Sequence, residues 1–110
     1  MSLVINFLRH IVDKYAVRCF VTRRVLYDGV PVGYLYREEP DKDDDSGWHI
    51  MAGDEAQEYM DDSSNISWVS LGAVLQEDNS ILSVLDAPIG IAYERNSETN
   101  RFEMVEQDIE

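Results

Sequence analysis

A chain of 110 residues and 12.6 kDa, 45% of it hydrophobic, has material for one domain and one core, which excludes a cofactor-binding fold joined to a separate substrate domain. Its 22 acidic and 9 basic side chains leave a net charge of −13 and a pI near 4.3, which removes the cationic surface that DNA or RNA binding depends on. The charge is uneven, +3 over residues 1–36, −9 over 37–62 and −7 over 63–110, so one region of the folded molecule is strongly negative.

Leu3, Val4, Phe7, Leu8, Ile11, Val12 and Tyr15 recur at the spacing of one helical stripe, with Asn6, Arg9, His10, Asp13 and Lys14 opposite and Ser2 available as a cap. The pattern predicts an N-terminal amphipathic helix over residues 1–16, packed on its own domain or on a twin subunit as a homodimer contact. Its charges break up any signal-peptide core, and its mixed polar face lacks the lysine and arginine excess of a membrane-surface helix. The single cysteine, Cys19, excludes an internal disulfide and points to a reducing, cytoplasmic setting.

From Val17 the period shortens. Residues 17–24 and 30–37, with Val32, Tyr34 and Tyr36 alternating in the second run and Tyr27-Asp28-Gly29 between them, predict a β-hairpin. Residues 38–46 read as an exposed acidic loop, 47–52 as a short strand, and Asp54 with Gln57 as a capping box opening a helix to about Met60. Residues 68–75 and 81–85 read as two short helices, with Asp78 or Ser80 as a cap between them. Residues 89–94 and 101–105 read as a second hairpin turning at 95–100. Strands, then helices, then strands predict an α+β domain with an antiparallel or mixed sheet covered on one side, residues 17–106 forming its core.

No chemical motif survives inspection. Asp41, Asp43 and Asp45 have calcium-loop spacing, yet Ser46 and Ala52 stand where such a loop needs glycine and glutamate. His10, Cys19 and His49 offer no ligand pair for zinc. Cys19 lies in an apolar strand run, and the adjacent carboxylates Asp54 and Glu55 point in different directions on a helix. A protein without catalytic residues, metal or cofactor is the expectation, with Trp48 and Gly47 serving the core and the turn before it.

The succession Cys19-Phe20-Val21-Thr22-Arg23-Arg24, Val32-Gly33-Tyr34-Leu35-Tyr36-Arg37-Glu38, Asp45-Ser46-Gly47-Trp48 with Gly53-Asp54-Glu55 and Glu58-Tyr59, and Leu85-Asp86-Ala87-Pro88-Ile89-Gly90 before Tyr93-Glu94-Arg95 resembles the immunity protein 33 family, earlier catalogued as a domain of unknown function. The likeness runs from about Cys19 to Arg95, with Thr22 in place of an expected serine. It implies a small bacterial cytoplasmic protein of α+β or β-rich build, associated with polymorphic toxin systems, that binds a cognate toxin and blocks it.

Charge and resemblance together give the functional expectation: a non-enzymatic binding protein whose acidic surface meets a basic toxin domain. Glu38, Glu39, Asp41, Asp43, Asp44 and Asp45 are the candidate partner-binding residues. The alternative is a small regulatory or housekeeping domain that binds a ligand or protein near Trp48 and Trp68.

Overall fold

A computed structural model describes residues 14–106 of the protein. The strands are β1 (Arg18–Thr22), β2 (Tyr34–Arg37), β3 (Asp45–Met51), β4 (Ile66–Ser70), β5 (Ala92–Arg95) and β6 (Phe102–Val105). The helices are α1 (Arg23–Leu26), α2 (Gln57–Asp61) and α3 (Leu71–Glu77), with 3₁₀ turns at Ser63–Asn65 and Asn79–Ser83. The strands form one mixed sheet in the order β4-β1-β3-β2-β5-β6, so the domain is α+β. The predicted N-terminal helix and the homodimer contact assigned to it fall almost wholly on residues outside those described.

The second hairpin, the β3 strand and the α2 position agree with the sequence reading. The first hairpin does not. β1 and β2 are separated by β3, which pairs parallel with β1 and antiparallel with β2. The cause is local: the chain leaves β1 directly into the helical turn α1, so that its direction is lost before the Gly29 turn is reached.

Residues 68–70 belong to strand β4, paired antiparallel with β1, and the helix begins only at Leu71. Ser70 is the switch point, its hydroxyl accepting from the Ala73 amide as an N-cap. Asp54 does not cap α2, whose N-cap is Ala56 without a side-chain bond. It forms instead a two-point pair with Arg24, whose Nε and Nη2 donate over 2.8 and 2.6 Å. Asp78 does cap the following 3₁₀ turn, accepting from Ser80 N.

Each strand alternates between two unlike faces. Cys19, Val21, Leu35, Trp48 and Ile50 project to one side, where Val25 of α1, Leu71 and Val74 of α3, Ile81, Val84 and Leu85 close the core over them. Trp48 is its largest member, 0% exposed, with its indole N–H donating to Leu85 O at 3.1 Å and the Arg37 guanidinium 5.7 Å from its ring. The other side of the sheet carries Phe20, Tyr34, Tyr36, His49, Met51 and Trp68, with Met60 of α2 reaching in beside Phe20 and Met51.

Candidate functional site

The residues that look most like a motif serve the fold. Gly47 has φ +85°, and a Cβ there would lie 2.1 Å from Glu38 O, so the backbone of the loop can close only on glycine. Asp45 accepts from Gly47 N and from Asp41 N, fixing that turn. The Glu55 carboxylate accepts from the Thr22 hydroxyl at 2.7 Å and from the Ala52 and Gly53 amides at 2.8 Å each, so Thr22 performs here the bond a serine would make. Tyr59 Oη accepts from Arg24 N.

Arg95 donates to Val32 O and, through Nη2, to Asp78 and Ser80, while its plane lies 4.4 Å from the Phe102 ring. Burial alone would raise the Asp78 carboxyl, but the Ser80 and Val32 bonds and Arg95 together hold it below the usual aspartate value. Each of these groups is engaged by neighbours of its own chain. Cys19 is sealed in the core, its thiol pushed up to about 12 by burial with help from Asp45, the opposite of an activated nucleophile. Among the described residues no three His, Cys, Asp or Glu side chains converge as a metal site would need.

The six predicted acidic residues separate into two groups. Asp45 is spent on the turn, Asp44 lies 3.8 Å from Arg18, and Glu38 meets His49 Nε2 at 3.3 Å. Glu39, Asp41 and Asp43 stand exposed on the loop with their carboxylates free of any ion pair among the described residues. The loop lies between β2 and β3, at the end of the sheet where Trp48 enters the core.

The two tryptophans named together in the sequence stand on opposite faces of the sheet, Trp48 in the core and Trp68 paired beside Phe20 on the other side. They therefore line no common pocket.

What the sequence did not reveal is the alignment of rings across the face opposite the core. Trp68, Phe20, His49, Tyr36 and Tyr34 come from β4, β1, β3 and β2. They meet ring to ring at centroid distances of 4.7 Å (Trp68–Phe20), 5.2 Å (Phe20–His49), 4.6 Å (His49–Tyr36) and 5.9 Å (Tyr36–Tyr34). His49 is stacked nearly parallel to Tyr36 at 4°, and its burial there lowers its pKa below 6.5 against the opposing pull of Glu38 and Asp45. Phe20 is 38% exposed.

A hollow of about 120 Å³ opens on this face between Phe20, Tyr36, His49, Met51, Met60 and Ile66. Lys42, from the acidic loop, places its Nζ 5.4 Å from the centre of the Trp68 ring. The alternation of Tyr34 and Tyr36 is a readable sign of this face. The partners of Phe20 are not, because they depend on a strand order that the sequence leaves open.

A larger hollow, about 560 Å³, lies on the other side, lined by Tyr15, Ala16, Ser70, Gly72, Ala73, Leu75 and Gln76. Among the described residues its walls are mostly apolar and hold no carboxylate, histidine or cationic group. No described helix is long and apolar enough to cross a membrane. Compared with known sequences, residues 19–106 match the family model described as the immunity protein Imm33 domain. No curated protein and no solved structure matches the chain.

Proposed function

Because the chain belongs to the Imm33 immunity protein family, we propose that it binds a cognate toxin domain and neutralises it in the cytoplasm of the bacterium that makes both, acting by occupancy and without catalysis. The family match over residues 19–106 carries this reading. The free carboxylates of Glu39, Asp41 and Asp43 support its electrostatic part: a loop of this charge attracts a basic toxin surface over long range and repels the anionic substrate such a surface would otherwise engage.

The test is co-expression with the toxin domain encoded by the adjacent gene. Wild-type protein restores growth and co-purifies with the domain. Growth arrest despite normal levels of the folded protein refutes the reading.

A further inference from the structure

The ring-bearing face of the sheet is built unlike a solvated surface. Five rings lie in contact across four strands, with Met51 and Met60 bordering the hollow among them. Aromatic residues and methionine are the types enriched at the centres of protein interfaces, and methionine side chains adapt to what enters.

Carboxylates border the rings on the β2, β5 and β6 side. Glu38 is bonded to His49, and Glu94 and Glu103 stand directly opposite each other on β5 and β6, both exposed, on the face that Tyr34 shares with Glu94. Like charges in that register repel, and among the described residues neither carboxylate has an ion pair; Asn96 Nδ2 reaches Glu103 at 3.2 Å. Lys42 over Trp68 is a cation of the chain's own already seated on a ring of the stripe.

From this arrangement we infer that the ring stripe is the seat of the toxin, and that the partner presents arginine-bearing basic surface to it. Guanidinium groups stack on the rings, one side chain enters the hollow beside His49 and Glu38, and Glu94 with Glu103 takes a second cation. Arginine suits the site better than lysine because its planar group stacks on aromatic faces and pairs with carboxylates at two points. The inference rests on the proposed toxin-binding function and adds to it the surface and the chemistry of the partner.

Two titrations of isotope-labelled full-length protein followed by NMR test it, one with the adjacent-gene toxin domain and one with hexaarginine. The expected result is that the Trp68 indole N–H and the Phe20, Tyr36 and His49 amides shift with both probes, and that a Phe20→Ser/Trp68→Ser variant with native circular dichroism binds the toxin about 30-fold or more weakly, as loss of an interface anchor does. Phe20→Glu, at an exposed position, gives the same loss if the double variant does not fold.

Shifts confined to the 38–45 loop, or unchanged affinity in the stripe variants, overturn the assignment of the surface while leaving toxin binding intact. A wild-type protein that binds no toxin refutes the function instead, and the hexaarginine map then decides the surface alone. A dimer in sedimentation that Phe20→Glu separates, or stripe resonances that move when residues 1–13 are removed, also overturns the inference, since another occupant then holds the face.

Discussion

Trp48 joins shape and polarity in one side chain: the indole fills the centre of the core, and its N–H would be orphaned there without Leu85 O. Trp48→Ala is expected to cost about 3–5 kcal/mol, a large share of a small domain's stability, and chemical denaturation measures it. His49 makes a prediction of a different kind. Its folded pKa lies below 6.5, so the unfolded chain binds the extra proton more readily, and stability falls as pH drops from 6.5 through the folded value. Denaturation midpoints measured between pH 7 and 5 decline in the wild type, and His49→Gln flattens that decline. An unchanged slope would assign it to other groups.

At the scale of the element, the loop from β2 to β3 closes on Gly47. Gly47→Ala places a methyl group against the Glu38 carbonyl as well as straining a left-handed backbone, and a methyl against backbone cannot be relieved by a side-chain rotation. The expected result is a loss of about 3 kcal/mol or more, or failure to accumulate in soluble form, measured against Gly29→Ala, where the left-handed backbone is the same but the space is open.

The contrast between what was and was not legible in the sequence follows the same division. Gly47, Trp48, the Asp78 cap and the β5–β6 hairpin could be read because each is decided within a few residues. The β1–β2 hairpin was misread because sequence order suggested neighbours, while the helical turn α1 takes the chain away from β1 and leaves that strand to pair with β3 and β4. Residues 68–70 were misread as helix because Trp68 to Val74 is apolar enough for either period, and only the Ser70 cap divides it. The ring stripe was half visible in Tyr34 and Tyr36 and otherwise hidden, since it exists only once four strands are in register.

For the whole molecule, the net charge and the acidic loop act on association more than on folding. Neutralising Glu39, Asp41 and Asp43 together, as Glu39→Gln, Asp41→Asn and Asp43→Asn, removes carboxylates that hold no ion pair among the described residues, so stability is expected to change by less than about 1 kcal/mol. The same variant is expected to associate more slowly with the toxin domain in stopped-flow measurements, and its rate to depend less steeply on salt. Equal rates and equal salt slopes would reduce the loop to a solubilising feature, leaving the ring stripe to be judged by its own variants.

The strand order bears on how the protein is made. β1 leaves the ribosome before every other strand, yet both of its neighbours in the sheet, β3 and β4, come later, and the second of them ends only at Ser70. At about 5–20 residues per second, the nascent chain holds Cys19, Phe20 and Val21 unpaired for several seconds of translation. During that interval the edges of β1 that β3 and β4 will occupy stay open to any extended segment nearby. A ribosome-stalling series is expected to show resistance to protease only after β4 has cleared the exit tunnel. Synonymous codons that slow translation between β1 and β4 should lower the yield of soluble protein, while the same codons placed after β4 should not.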